Sequence, residues 1–201
     1  MSLNKRETNE HVSSSTPVES LGRASSELAS MWSWVQTTRL TLRRLQPTDG
    51  PALFAVHGDP ATYRYSPARP HPDMATSEEM LRSCLQEWDA YGFGYWAVTL
   101  ARDEETILGF GGVEYRVWRE REALNLYYRL SPSAWGQGYA TELASAAVRL
   151  ARAYLPQWPI VARTRAANIP SMRTAERAGL IRRPELETDL DTDQVVFALG
   201  W

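Results

Sequence analysis

Two glycines separated by one residue, Gly136 and Gly138, stand between a strand-like run, LNLYYRL (124–130), and a helical run, ELASAAVRLARAY (142–154). Leu124, Leu126, Tyr128 and Leu130 alternate with Asn125, Tyr127 and Arg129, the period-two pattern of a strand, which Ser131 and Pro132 end. The glycines permit backbone conformations and close approaches that a side chain blocks. The helix that follows carries Tyr139, Leu143, Ala147, Leu150, Ala151 and Tyr154 on one face. A strand, a glycine turn and a helix N-terminus together make an anion site, because unpaired N–H groups and the positive end of the helix dipole point into the turn. Phosphate is the usual occupant.

Spacing separates the phosphate loops that could own such a turn. A Walker A loop needs Lys and then Ser or Thr directly after its last glycine, whereas Gly138 is followed by Tyr139 and Ala140. The dinucleotide fingerprint is nearly met by Gly136, Gly138 and Thr141, but five residues, Ser131 to Trp135, intervene after the strand. The region Trp158 to Thr164 also has no carboxylate for a ribose, which counts against a nicotinamide-dependent enzyme. A second group of interest begins at Asn168, in NIPSMRTAERAGL (168–180). Asn is a good N-cap, Pro170 is tolerated in a first turn and Gly179 is a plausible stop, so a helix from Ile169 to Ala178 needs no function to explain it.

WGQGYA (135–140), taken with Asn168, Ser171 and the AERAGL ending, resembles the coenzyme A loop of the GNAT N-acetyltransferases, written Q/RxxGxG/A. The resemblance extends over Thr38 to Leu199, and Trp135, where Gln or Arg is commoner, looks like the RimJ/RimL branch that acetylates ribosomal-protein N-termini. It implies an α/β fold of the α+β type: a mixed, mostly antiparallel sheet flanked by helices, with one parallel pair that splays apart. The pantetheine arm of acetyl-coenzyme A would bond main-chain groups of Tyr128, Arg129 and Leu130, and the pyrophosphate would meet the amides of Gly136, Gln137, Gly138, Tyr139, Ala140 and Thr141. Asn168 would contact the coenzyme and Ser171 would sit near its sulfur. Many relatives carry a Tyr acid at the place of Ala175, so Ser171 is the candidate donor to the leaving thiolate. An amide near Tyr128 would polarise the thioester carbonyl. A Glu often stands where Asn125 stands here, and Glu114 on the neighbouring strand is the substitute general base, the alternative being an exposed strand carboxylate with no catalytic role. The partners implied are acetyl-coenzyme A and a primary amine, either a protein N-terminus or a small molecule, and the resemblance admits a homodimer. Asn125 and Ala175 keep a non-catalytic acyl-coenzyme A sensing module as the alternative.

The remaining elements must position these groups. Arg39 to Leu45 alternates as a strand, Pro47 to His57 reads as a helix, and Thr76 with Glu79 forms a capping box for a helix to Tyr91. That region would lie over the acceptor, where Tyr63, Tyr65, Trp88, Tyr91 and Phe93 are either pocket lining or core. Tyr95 to Ala101 and Thr106 to Trp118 are strands joined by an Asp103, Glu104, Glu105 turn, and Gly109, Gly111 and Gly112 inside the second suggest a bulge or a close approach. Pro159 to Thr164 is a buried strand parallel to Leu124 to Leu130, and Leu180 to Leu199 is a hairpin whose QVVFAL closes the sheet. Arg163, Arg165, Arg173 and Arg177 could meet the coenzyme's 3′-phosphate.

Composition sets the outer bounds. The chain has 201 residues, is 43% hydrophobic and carries a net charge of -2, which suits one domain with a tail and gives no footprint for nucleic acid or a membrane. Residues 1–37 read as a Ser-rich extension, disordered through Thr16, with Leu21, Ala24, Leu28, Met31, Trp32 and Val35 at helical spacing; residues 38–201 are the transferase domain. A single cysteine, Cys84, cannot form an internal disulfide, and a reducing cytoplasm is compatible. Three histidines in the tail and in turns do not make a metal site or triad.

Overall fold

The computed structural model describes residues 28–66, 68–188 and 193–201. Alternating and wholly apolar runs pair into one eight-stranded sheet: β1 (Trp34–Gln36), β2 (Leu40–Arg44), β3 (Tyr95–Leu100), β4 (Asp103–Trp118), β5 (Arg121–Leu130), β6 (Ile160–Arg165), β7 (Ile181–Arg182) and β8 (Gln194–Leu199). Their order is β1-β2-β3-β4-β5-β6-β8-β7, antiparallel except for β5 with β6. Two helices, α1 (Gly50–His57) and α2 (Met74–Tyr91), cover one face, where Leu53, Val56, Leu81 and Cys84 meet Tyr95, Ala97 and Phe110. On the other face α3 (Tyr139–Tyr154) sets Leu143, Ala147 and Ala151 against Val113, Leu124, Leu126 and Leu130, and α4 (Ile169–Arg177) adds Ala175. The fold class is thus the mixed, mostly antiparallel one. Among the described residues no helix is long and apolar enough to cross a membrane.

Local chemistry corrects several boundaries. The helical spacing expected through Val35 ends at Trp32, whose fully buried ring stacks on Trp96 at 5.2 Å, and Val35 belongs to a strand; Leu21 and Ala24 lie outside the described residues. Asp73, not Thr76, caps α2: its carboxylate accepts from the Thr76 N–H at 2.9 Å, so the helix starts at Met74. The acidic triplet Asp103 to Glu105 lies within β4, and the turn is Ala101 and Arg102. QVVFAL does not close the sheet, because β7 lies outside β8, and Val195, Val196, Phe197 and Ala198 are buried on both of its faces.

Both readings of the β4 glycines hold. Register slips from Val98 opposite Gly109 to Thr99 opposite Ile107, so Leu108 bulges on the β3 side, while toward β5 its carbonyl accepts from Ser131 N–H at 2.8 Å. At Gly111 a Cβ would lie 2.6 Å from the Tyr127 carbonyl oxygen and 2.7 Å from a Leu143 methyl carbon. That contact brings α3 down onto β4 and β5, directly behind the glycine turn.

Candidate active site

Helix α3 begins without a cap. Its N-cap residue, Gly138, has φ of +79° and no side chain, so among the described residues no side-chain oxygen satisfies the first N–H groups of the helix. Gly136 has φ of +74°, and a Cβ there would meet nothing within 4 Å, so the loop faces open space. The loop is nevertheless fixed. Trp135 Nε1 donates to the Leu130 carbonyl at 2.8 Å, and Gln137 Nε2 donates to the Ser133 carbonyl at 3.1 Å. Arg39 Nη1 donates to the Gln137 carbonyl at 2.9 Å while its Nε donates to Glu142 Oε2 at 2.7 Å. The guanidinium also lies 4.8 Å from the Tyr139 ring centre. Glu142 Oε1 accepts from Thr37 Oγ1 at 2.6 Å and from the Arg39 N–H at 2.7 Å. Burial works against the Glu142 carboxylate, but the hydrogen bonds from Thr37 and Arg39 outweigh it and hold its pKa below the ordinary value. No local sequence signal announces this clamp, because its halves lie about a hundred residues apart.

The parallel pair is short. Leu124 sits opposite Ile160 and Asn125 opposite Val161, after which β6 runs with β8 and leaves the facing edge of β5, residues 126–130, without a strand partner among the described residues. Alternate N–H and C=O groups of that stretch are open to an extended ligand. Tyr128 spans the opening: its hydroxyl donates to the Ser171 carbonyl at 3.0 Å and shares a 2.9 Å hydrogen bond with Ser171 Oγ. Burial pushes the Tyr128 phenol up to about 12. Asn168 caps α4 through the Ser171 N–H at 3.2 Å, and Thr141 Oγ1 lies 3.5 Å from Thr174 Oγ1, joining α3 to α4. Tyr128, Ser171, Asn168 and the glycine turn therefore share one edge and one face. An open glycine cradle, an uncapped helix and an unpaired strand edge suit a phosphate-bearing, amide-bearing ligand such as coenzyme A.

Glu114 is elsewhere. Register pairs it with Asn125, on the face that α1 and α2 cover. It is not an exposed strand carboxylate: only 12% of its side chain is accessible. Oε1 accepts from the Tyr95 hydroxyl and from Asn125 Nδ2 at 3.4 Å, and Oε2 accepts from Arg116 Nη2 at 2.6 Å. Burial raises its pKa above the ordinary value, against the opposing effects of Tyr95 and Arg116. Arg116 also reaches Glu87, so one guanidinium bridges two carboxylates.

This face holds a cavity of about 310 Å³ against the open part of β5, with Glu114 at one side and Tyr127 and Arg129 at another. His57, expected at the helix end beside a turn, is the last residue of α1 and is buried. Its Nδ1 faces the Leu53 carbonyl at 3.1 Å and must donate, so Nε2 accepts from the Tyr127 hydroxyl at 2.9 Å. Tyr127 in turn accepts from Arg129 Nε at 2.9 Å. Burial, reinforced by Arg129, lowers the His57 pKa to about 3, so the ring is neutral. Of the candidate pocket aromatics, only Tyr63 lines the cavity; Trp88 and Phe93 are core at 1% and 2% exposure, and Tyr91 stacks on Tyr115. Cys84 is buried, and burial pushes its thiol up to about 12. Arg163 lines a second, smaller cavity with Glu114 and Arg116, away from the glycine turn, and Arg165 pairs with Asp193. Neither is held at the turn, while Arg173 and Arg177 are exposed on α4. Among the described residues no cluster of His, Cys, Asp and Glu could hold a metal ion.

The family model for the acetyltransferase (GNAT) domain matches residues 39–181. The chain belongs to the GNAT acetyltransferase family. An uncharacterized N-acetyltransferase, p20, of Bacillus licheniformis is 23% identical over 168 residues, covering 81% of this chain and 93% of its own. Among solved structures, an acetyltransferase from Agrobacterium tumefaciens superposes with a TM-score of 0.70 at 25% identity, covering 84% of this chain and 94% of that one. RimL, a ribosomal-protein acetyltransferase solved with coenzyme A, shares the fold with a TM-score of 0.65 at 17% identity, covering 83% and 97%. Family membership supports acetyl transfer, and the sheet topology with its single parallel pair is that of the family fold.

Proposed function

We propose that the chain transfers an acetyl group from acetyl-coenzyme A to a primary amine, a protein N-terminus or a small molecule, by direct attack within a ternary complex. The observation that carries this reading is the unpaired stretch of β5. Of the expected contacts Tyr128, Arg129 and Leu130, it leaves the main chain of Tyr128 and the N–H of Leu130 for one ligand, while Arg129 turns its main chain to β4 and its side chain to the cavity for another, so two substrates can meet through the sheet. The amides from Gly136 through Thr141 would hold the pyrophosphate, with Gln137, Gly138, Tyr139 and Ala140 between them, and Asn168 would flank the arm. Bound coenzyme supplies an activated acetyl thioester.

The chain's own groups do the rest. An amine near its reference pKa is an ammonium and cannot attack, so it must lose a proton first. Glu114, with its raised pKa and its place on the cavity wall, takes that proton directly or through water. A backbone N–H at Tyr128 donates to the developing oxyanion. Ser171, whose hydroxyl lies 2.9 Å from that of Tyr128, turns its one proton from that partner to the leaving sulfur. Asn125, an amide where relatives often carry a base, donates to Glu114 and so supports a carboxylate one strand away. That contact favours an enzyme over a sensing module. RimL-like N-terminal acetylation is consistent with the shared fold and with Trp135 at the head of the loop.

Thiol release measured with acetyl-coenzyme A and a panel of peptides and amines tests the reading. Ser171→Ala should lower kcat roughly 100-fold or more with coenzyme affinity retained. A wild type that binds the coenzyme and acetylates nothing in the panel would count for the sensing module.

A further inference from the structure

The two arginines of the cavity on the α1 and α2 face are in opposite situations. Arg116 is held between Glu87 and Glu114, which leaves that side with one net negative charge when both carboxylates are ionised. Arg129 has no carboxylate partner among the described residues. Its main chain pairs with Phe110 of β4, and the same register puts the side chain on the cavity face. The guanidinium is held in place by neutral groups: Nε donates to the Tyr127 hydroxyl, Nη1 to the Thr62 carbonyl, and the Tyr63 ring lies beneath it at 3.7 Å. Nη2 makes no hydrogen bond to any described residue. His57 and His71, the other basic groups on this side, are both shifted down by burial and by Arg129 and add no charge at neutral pH.

A partly buried guanidinium without a counter-ion is costly to keep, and its planar fork matches a carboxylate in two parallel hydrogen bonds. Asn125, paired with Glu114, and Arg129 are four residues apart along β5, about 13 Å at the Cα atoms, and the Glu114 and Arg129 side chains both line the one cavity. We propose that the cavity selects an acceptor that carries a carboxylate as well as its amine, with the Arg129 side chain binding the carboxylate and the amine lying toward Glu114. This rests on the reading of the cavity as the acceptor site. The chemistry is that of a free amino acid or of a peptide with an acidic residue near its N-terminus. A polyamine, cationic at both ends, meets Arg129 as a like charge and is rejected.

The experiment compares acceptors that differ only in carboxylate and amide: β-alanine with β-alaninamide, and aspartyl-alanine amide with asparaginyl-alanine amide, with putrescine as the dication. In thiol-release assays at saturating acetyl-coenzyme A, the acid of at least one pair should show kcat/KM roughly 10- to 100-fold above its amide. Which pair does so separates the free amino acid from the peptide. Arg129→Gln should remove that preference, and Arg129→Lys should restore part of it. Equal turnover of acids and amides by the wild type, or faster turnover of putrescine, overturns the proposal. Calorimetry of N-acetyl-β-alanine and of N-acetyl-aspartyl-alanine amide against their amide counterparts reads the same site without turnover. If no amine is acetylated, the transfer reading fails, yet acid-selective binding that Arg129→Gln abolishes still supports the carboxylate site, and its absence overturns it.

Discussion

Glu114→Gln separates catalysis from stability more sharply than any other single change. The glutamate carries a raised pKa because burial disfavours its charge, and folding therefore favours its protonated form. Its contribution to stability is fully present below the pKa of the unfolded chain and is lost as pH rises through the folded value. A glutamine is neutral throughout, so it escapes that loss. It gives up the ion pair to Arg116, but Arg116 is 45% exposed and keeps Glu87, so the lost pair is worth at most about 1 kcal/mol. The two effects oppose each other. The variant should melt within about 1 kcal/mol of the wild type at pH 7 and gain on it between pH 4 and pH 7. Activity should respond differently: loss of a general base lowers kcat/KM roughly 100- to 10,000-fold, and the acid limb of the wild-type pH profile should disappear. Thermal unfolding and thiol release across that pH range read both quantities on the same samples. A variant that keeps its acid limb and loses less than about threefold in kcat/KM would refute Glu114 as the base.

Two further changes probe the scaffold. Glu142→Gln weakens the clamp on the glycine turn; with Arg39 46% exposed, the cost at pH 7 should be about 1 to 2 kcal/mol, with a higher coenzyme KM. Because the Glu142 pKa is lowered on folding, that contribution is present above the unfolded pKa and is lost as pH falls through the folded value, so the two melting curves should converge in acid. Gly111→Ala places a carbon 2.6 Å from one backbone atom and 2.8 Å from another, neither of which can yield cheaply, and should cost at least about 3 kcal/mol by denaturant titration.

The glycine turn and the strand before it were legible because their information is local: Gly136 and Gly138 both adopt the positive φ that their identity allows, and period two runs through β5. The cap at Asn168 was legible for the same reason, since its partner is three residues away. What was missed is non-local. Arg39 meets Glu142 only after β2 is laid beside the turn, and His57 looks like a helix-end residue beside a turn until α1 buries it under Tyr127. Glu114 looks exposed because its strand is polar near its end, yet Tyr95, Asn125 and Arg116 converge on it from two neighbouring strands and its own. Arg129 was named for its backbone, and nothing in RL or YYR tells which charge its side chain lacks. The boundary errors at α2 and β4 arose where two polar residues could each end an element, and hydrogen-bond geometry chose Asp73 over Thr76.

The most direct measurement is titration calorimetry of acetyl-coenzyme A into the full chain and into Gly138→Glu. A side chain at Gly138 must accept φ of +79°, a strain of about 1 to 2 kcal/mol that a folded domain survives, and its Cβ would come no closer than 3.5 Å to Arg39. The added carboxylate would, however, occupy the helix end meant for pyrophosphate. Saturable binding to the wild type, lost in a folded Gly138→Glu, is the expected result. No binding to a folded wild type, or equal binding to both, would contradict the assignment of this turn and strand edge to the coenzyme.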